Sequence, residues 1–529
     1  MINQPNILII TADQWRGDCL SAAGHPLLKT PHLDKLAASG VLFKNHFANA
    51  APCSPARACL YTGLYQMNNR VCMNGSPLDS RHDTLAKAML RLGYEPTLFG
   101  YTDQSGDPGA VHANDPSLRT YEGILPGFFA RTHIRDDQSV WRSWLEQQGY
   151  EDALGSNSRE FHIPATGVDD PPTGTPPVYR AEHTDTAFLT NDFKRWLAEQ
   201  TALQAGNENS EHGRPWCAHI SFLRPHPPFV VPPPYNTMYD TNDVEVPVGV
   251  DADSDVDHPF LNFLHKSVVK KSFIPGAEGL VSDWSADDLR QIAATYYGMC
   301  TEVDAQIGQI LASLDSHGQR ENTIIIFTSD HGEQLGDHGL LGKYGFFDSS
   351  YHIPLIIHDP KQSAAPGRVI KEFTEAVDVL PTLIQMLGAE IPLQLDGQSL
   401  TKLMSDGVDE NWRTTAHWEY DFRDVVSNKA EKHFGLPSQA CNMAVSRSEK
   451  FKYVHFAALP SLLIDLENDP FETRNLINEP EYQKVARLCA EELLSWRAQH
   501  LDQTRALTSV SEHGLTTGHR EPRHFNYSS

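Results

Sequence analysis

Short, unbroken apolar runs alternate along this chain with stretches in which apolar residues recur every three or four positions. The runs at 6–11, 41–47, 96–101, 216–222, 323–329 and 353–358 predict strands. The first, Asn6-Ile7-Leu8-Ile9-Ile10-Thr11, and the fifth, Thr323-Ile324-Ile325-Ile326-Phe327-Thr328-Ser329, lack polar alternation. Such strands are buried on both faces, as in a parallel sheet. Pro354 predicts the start of its strand or an edge position. The helical stretches between them carry start and stop signals. Residues 30–40 run from Thr30 through Pro31 to Gly40, and 84–92 stop at Gly93. Further helices are predicted over 184–199, over 285–314 behind the N-cap Ser285, and over 376–387 before Gly388.

Strand and helix alternating in this way predict an α/β fold with a large doubly wound mixed sheet flanked by helices. Residues 103–177 and 231–257 break the pattern: Pro, Gly and Asp are frequent there, which reads as loops around a site. The polar stretch 206–213 reads as a surface loop. After about residue 390 the texture changes to short strands at 415–420, 442–446, 452–456 and 462–466 without intervening helices, followed by a helix over 481–500. The expected organisation is a large α/β domain over 1–389 and a C-terminal α+β domain over 390–501 with an antiparallel sheet. The remainder, 502–529, is a polar tail, either disordered or ordered by a partner subunit.

Composition narrows the function classes. With 529 residues, 40% of them hydrophobic, the chain can bury a large core. A formal net charge of -25 argues against a nucleic-acid partner, which needs a basic face. The eight cysteines show neither zinc-site pairing nor disulfide density, and reduced thiols in the cytoplasm are the simplest account. No run is long and apolar enough for a membrane span, and Met1 to Pro5 lacks the pattern of a signal peptide. A cytoplasmic protein without membrane or nucleic-acid partners is expected.

The candidate chemistry sits where predicted strands end. The first strand ends at Asp13-Gln14, and the fifth runs into Asp330-His331-Gly332. In open α/β sheets ligands bind beyond the carboxyl ends of the strands. Two strand-end carboxylates beside a histidine suit a hard cation or a mixed nitrogen and oxygen metal site. Cys53-Ser54-Pro55-Ala56-Arg57 opens a further helix, with Pro55 in its first turn and Gly63 at its end. Cys53 thus lies at a helix start, where the dipole and free N–H groups favour an anion. His226 lies in the proline-rich Arg224-Pro225-His226-Pro227-Pro228-Phe229 loop after the 216–222 strand.

Cys53-x-Pro-x-Arg57, Asp13-Gln14 and Asp330-His331-Gly332, in this order, resemble the sulfatase branch of the alkaline phosphatase superfamily. The stretch from Leu463 to Glu472 with Asn475-Leu476 is similar to the sulfatase C-terminal signature. The likeness is closest to the phosphonate monoester hydrolase and arylsulfatase subgroup. It rests on Asp13-Gln14, the His226 loop, the run from Asp330 to Lys343, Tyr420 to Asp424 and Lys452 to Pro460. The resemblance implies conversion of Cys53 to formylglycine by a separate generating enzyme. The hydrated aldehyde is then the nucleophile, and collapse of its ester restores the aldehyde. It further implies one divalent ion, Mn2+ or Ca2+, held by Asp13, Asp330, His331 and residue 53. Arg57 would hold the diol. Lys343 and His226 are candidates to bind the transferred oxyanion and protonate the leaving oxygen. Gln14, Asn74 and Tyr101 are candidate donors to substrate, with purely structural roles equally open: Gln14 orienting Asp13, Asn74-Gly75 a turn, and Tyr101 packing. A homotetramer is also implied by the resemblance.

The chain departs from the subgroup at Asp103, where a neutral hydroxyl is expected near the substrate, and at Gly109, where a cation is expected. An extra negative charge at Asp103 tilts the expectation toward sulfate esters as main substrates, with phosphonate monoesters and phosphodiesters as side reactions. Phosphonate hydrolysis as the main activity is one alternative, and phosphoryl transfer by an unmodified Cys53 is another. An anion-binding protein that holds a metal without turnover is the alternative of a different class.

Overall fold

The computed structural model describes residues 4–135, 137–151, 162, 173–206, 214–249, 256–361, 366–405 and 412–518. The predicted 206–213 loop therefore lies almost entirely outside the described residues. The strands are β1 Asn6–Ala12, β2 Val41–Phe47, β3 Ala50–Ala51, β4 Pro96–Gly100, β5 Phe129–His133, β6 Cys217–Phe222, β7 Thr323–Thr328 and β8 His352–His358. They continue with β9 Arg368–Glu375, β10 Thr415–Asp421, β11 Asn442–Ser448, β12 Phe451–Phe456, β13 Leu462–Asp465, β14 Thr508–Ser511 and β15 Gly514–Thr517.

A mixed sheet in the order β5-β4-β6-β1-β7-β8-β2-β9 forms the centre, with β8 antiparallel to both its neighbours. β1 and β7 occupy its middle, and every residue of both is buried. Their side chains alternate between two cores. Leu8, Ile10, Ile325 and Phe327 pack on one face, and Ile7, Ile9, Ile324 and Ile326 on the other. The unbroken apolar runs thus follow from burial on both faces. The helices Pro31–Ser39, Asp185–Gly206 and Ala286–Ser316 cover the first face. Cys53–Thr62, Leu85–Arg91 and Val379–Met386 cover the second. The long helix begins as its sequence predicts: Ser285 accepts from Asp288 N, and the Asp288 carboxylate accepts in return.

Three expectations need correction. The 103–177 region adds β5 to the large sheet and a helix over Ser139–Gln147. β5 is an edge strand with Phe129, Ala130 and Arg131 exposed, so it shows no buried apolar run. β8 lies between β7 and β2 in the sheet interior, so Pro354 marks no edge. The β2–β8 register breaks between Phe43 and His46, where Pro354 brings no N–H to the ladder. The C-terminal strands are not free of helices, because Lys429–Phe434 stands between β10 and β11.

The smaller sheet runs β13-β12-β11-β10-β3, antiparallel but for the parallel β3–β10 pair, and packs against the helix Gln483–Gln499. Its outer strand β3 comes from just before Cys53, so the two sheets are joined directly beside that residue. Within the tail, β14 and β15 pair as a two-stranded hairpin, and residues from 519 onward lie outside the described residues.

Candidate active site

Four neighbouring strands deliver polar groups from their carboxyl ends to one point. β4 is followed by Tyr101, β6 ends at Ser221-Phe222, β1 leads to Asp13, and β7 to Asp330 and His331. Gly100 lets β4 lie close to β6: its φ is +113°, and a Cβ there would stand 2.1 Å from the Ser221 carbonyl oxygen. Gly332 has a similar function after His331, because a Cβ would meet the Ser349 carbonyl oxygen at 2.1 Å. Ser329 Oγ ties the two central strand ends together. It donates to Ala12 O at 2.7 Å and accepts from Trp15 N at 2.9 Å.

The helix Cys53–Thr62 starts against these strand ends with Pro52 as its N-cap. Arg57, one turn inside, is fully buried and binds the strand ends with its whole guanidinium. Nε donates to Asp330 Oδ2 at 2.9 Å, Nη2 to Asp13 Oδ2 at 3.1 Å, and Nη1 to Ser221 Oγ at 2.8 Å. Tyr101 completes the clamp. Its ring centroid lies 4.3 Å from Arg57 Cζ, and its hydroxyl donates to Asp13 Oδ2. A planar, multiply bonded cation of this kind spaces two carboxylates that would otherwise repel each other.

The remaining lone pairs converge on residue 53. His331 Nε2 lies 3.3 Å from Cys53 Sγ, 3.7 Å from Asp13 Oδ1 and 3.7 Å from Asp330 Oδ2. Asp13, Cys53, Asp330 and His331 are all buried, and each offers a ligand atom within 4.8 Å of the others. Two carboxylates, one imidazole and residue 53 are a donor set that fits a divalent cation. His331 Nδ1 lies 3.1 Å from Gly332 O, to which it can donate, leaving Nε2 as the ligand atom. Burial would raise the Asp13 carboxyl. The surrounding His226, Lys343, His331 and Arg57 outweigh that effect and hold it far below the usual carboxylate range. Burial, with Asp13 adding to it, pushes the Cys53 thiol well above the usual thiol range.

Of the other residues singled out from the sequence, Lys343 comes nearest to residue 53. Its ammonium lies 3.3 Å from Cys53 Sγ and donates to Gln14 Oε1 at 2.8 Å. Gln14 has a φ of +67° and is buried. His226 is bound through Nδ1 to Pro227 O at 2.8 Å. Burial and the charge of Lys343 push it down to about 3, so the imidazole is neutral with Nε2 unprotonated. Asn74 Oδ1 accepts from Ser54 N at 3.0 Å and so satisfies one of the open N–H groups at the helix start. Asp103 is buried with a φ of +52°, and burial raises its carboxyl to about 7.

Several groups in this network carry no sequence signal of their own. Ser221 and Ser329 each close a strand that reads only as apolar. Tyr296, inside the long helix, donates to Gln14 O at 2.7 Å. Glu333 directly follows the Asp330-His331-Gly332 run, and that adjacency is the one signal by which it was findable.

Two family profiles match the chain. "Sulfatase" covers residues 5–389, and "N-sulphoglucosamine sulphohydrolase, C-terminal" covers 336–499. The multifunctional alkaline phosphatase superfamily protein PehA of Trinickia caryophylli is 39% identical over 98% of this chain and 99% of its own. The phosphonate monoester hydrolase of Agrobacterium radiobacter superposes with a TM-score of 0.91 at 51% identity, covering 98% of this chain and 100% of that one. The phosphonate monoester hydrolase of Silicibacter pomeroyi gives a TM-score of 0.90 at 36% identity, with the same coverage.

Proposed function

Because the chain belongs to the sulfatase family, we propose that it is a formylglycine-dependent metal hydrolase acting chiefly on phosphonate monoesters, with phosphodiesters and sulfate esters as further substrates. The observation that carries this reading is the buried convergence of Asp13, Cys53, Asp330 and His331, with Lys343 Nζ 3.3 Å from Cys53 Sγ. Likeness over the whole chain to two phosphonate monoester hydrolases supports the substrate class.

A hydrated formylglycine at position 53 would supply a geminal diol as the nucleophile, with a second hydroxyl able to release the transferred group afterwards. Asp13, Asp330, His331 and residue 53 would hold a divalent cation, Mn2+ or Ca2+, which would supply Lewis acidity there. The other side chains act around that centre. Arg57 holds the Asp13 and Asp330 carboxylates in place. Lys343 presents a cation to the oxyanion beside residue 53. His226, neutral with an unprotonated Nε2, offers a hydrogen-bond acceptor, and Lys343 is the group that can protonate the leaving oxygen. Tyr101 and Asn74 brace the clamp and the helix start.

Asp103 supports a second reading, in which sulfate esters are the main substrates. Two facts weigh against it. Phosphonate monoesters and sulfate monoesters each carry one negative charge at neutral pH, so a carboxylate does not separate them by ground-state charge. In addition, Asp103 is raised to about 7, so its charge is only partial there.

The test compares kcat/KM for an aryl phosphonate monoester, an aryl phosphodiester and an aryl sulfate with one common leaving group. The phosphonate is expected to lead, and a lead for the sulfate would overturn that ranking. Mass spectrometry of the Cys53 peptide tests the nucleophile. An aldehyde is expected, and full activity with an intact thiol would favour an unmodified cysteine. Loss of all hydrolysis in Cys53→Ala, with binding of the ester retained, would exclude a role in binding alone.

We also propose that the tail supports a homotetramer. The hairpin β14–β15 bears the exposed apolar residues Val510 and Leu515, 81% and 70% accessible. Light scattering of a chain ending at residue 501 tests this, with a smaller assembly expected. Among the described residues no helix is long and apolar enough to cross a membrane.

A further inference from the structure

We infer that Glu333 is a positioning residue that sets the orientation of the Gln14 amide and, through it, the place of the Lys343 ammonium beside residue 53. The inference rests on the hydrolase reading above, because it gives Lys343 a task on the reacting oxyanion.

Every polar atom of Gln14 is engaged. Its N–H donates to Asp330 Oδ1 at 3.1 Å, and its carbonyl oxygen accepts from the Tyr296 hydroxyl at 2.7 Å. Its Nε2 donates to Glu333 Oε2, and its Oε1 accepts from Lys343 Nζ at 2.8 Å. A side-chain amide has two nearly isosteric ends, so something must decide which end meets the ammonium. Lys343 offers only donors. If the amide were turned over, two donors would face each other and the lysine would lose its acceptor. In its ionised form Glu333 makes that choice, because a carboxylate only accepts and therefore demands Nε2.

Glu333 itself cannot turn away. It is fully buried, and its Oε1 accepts from Leu335 N at 3.0 Å and Gly342 N at 2.6 Å. These bonds close the loop that runs from Glu333 to Gly342, and the residue next in sequence is Lys343. One carboxylate therefore places Lys343 twice: Oε1 anchors the backbone before it, and Oε2 orients the acceptor of its ammonium.

The two tasks can be separated. Glu333→Gln keeps an oxygen for the two backbone N–H groups but presents an amide nitrogen to residue 14. The Gln14 amide must then turn, and Lys343 loses its acceptor. A merely structural Glu333 would tolerate this change. The double variant Gln14→Glu with Glu333→Gln restores complementarity, because residue 14 now accepts from both sides and the total charge is unchanged.

The experiment combines steady-state kinetics on an aryl phosphonate monoester and an aryl sulfate with crystal structures of the wild type and both variants. For Glu333→Gln, kcat is expected to fall about 10- to 100-fold, the usual range for a lost supporting partner, with KM changed much less. Lys343 Nζ is expected to leave residue 14, and the double variant to recover at least about tenfold of the loss. A kcat within about twofold of wild type, an unmoved Lys343, or a double variant no better than the single one would each overturn the inference. The crystal structures read the lysine position without turnover, so a wild type inactive on these esters would refute the proposed function and still leave the positioning of Lys343 decided.

Discussion

Arg57 donates from Nε to Asp330 Oδ2 at 2.9 Å, and neither side chain is exposed to solvent. The same guanidinium binds Asp13, so one cation spans the ends of the two central strands. Removing one partner of a buried ion pair leaves uncompensated charge and typically costs about 3–5 kcal/mol. Arg57→Met is expected to lose stability on that scale in denaturant unfolding and to have no measurable hydrolysis. Arg57→Lys keeps the charge but cannot reach Asp13, Asp330 and Ser221 together. It is expected to lie between wild type and Arg57→Met in stability.

The carboxylates left facing residue 53 predict cation-dependent stability. Calorimetry of chelator-treated protein is expected to show a higher Tm on adding Mn2+ or Ca2+. A gain of about 2.7 kcal/mol corresponds to a free ion concentration of 100 times Kd. Asp330→Asn and His331→Ala are each expected to abolish the gain. An unchanged gain in both would place the ion elsewhere.

Asp103 predicts a charge filter. Its carboxyl is raised to about 7 by burial, so it is neutral at lower pH and becomes an anion as pH rises through that value. The anion penalises a dianionic phosphate monoester more than a monoanionic phosphonate monoester. Asp103→Asn is expected to raise kcat/KM for the phosphate ester relative to the phosphonate by about tenfold above pH 8, or about 1.4 kcal/mol. Below about pH 6 the variant and the wild type are expected to converge. Parallel pH profiles at all pH values would remove Asp103 from substrate discrimination.

His417 predicts an alkaline limit to stability. It lies on β10 with Nδ1 3.7 Å from Glu375 Oε1, at the end of β9, and Nε2 3.4 Å from Glu492 Oε1, on the Gln483–Gln499 helix. Its ring stacks on Trp496 at 4.5 Å between centroids. Arg413, which also binds Glu375, is the nearby competing cation, and Ser446 of β11 donates to Glu492. Burial alone would lower the imidazole, but the two carboxylates outweigh it and raise its pKa. The folded value is therefore above the unfolded one. The stabilisation is complete below about 6.5 and is lost as pH rises through the folded pKa. The Tm of the wild type is expected to fall across that alkaline window, and that of His417→Gln to be lower at pH 6 but flatter. An equal slope in both would refute the assignment.

Much of the site was legible because its residues sit at punctuation marks in the hydrophobic pattern. Asp13 and Asp330 end the two most apolar runs, and Cys53 opens a helix marked by Pro55 and Gly63. The supporting groups were hidden for equally physical reasons. Ser221 and Ser329 look like ordinary strand ends, and Tyr296 lies in mid-helix where an aromatic residue reads as core. β5 was missed because an edge strand with an exposed outer face needs no apolar run. β8 itself was legible, but its interior place was not, because a proline in a central strand requires a register break, and register is not written in one strand alone.

The sequence by itself determined which segments are strands buried on both faces, where each ends, and which reactive side chains stand at those ends. These are local properties, set by side-chain period, β-branching and the backbone limits of Pro and Gly. The tertiary structure alone decided that β1 and β7 are neighbours, which brings Asp13 and Asp330 under one arginine. It also decided that Glu333, Gln14 and Lys343 form one chain of hydrogen bonds ending at residue 53. Strand order and hydrogen-bond partners join residues more than 300 positions apart, such as Gln14 and Lys343, and no local pattern encodes such a pairing.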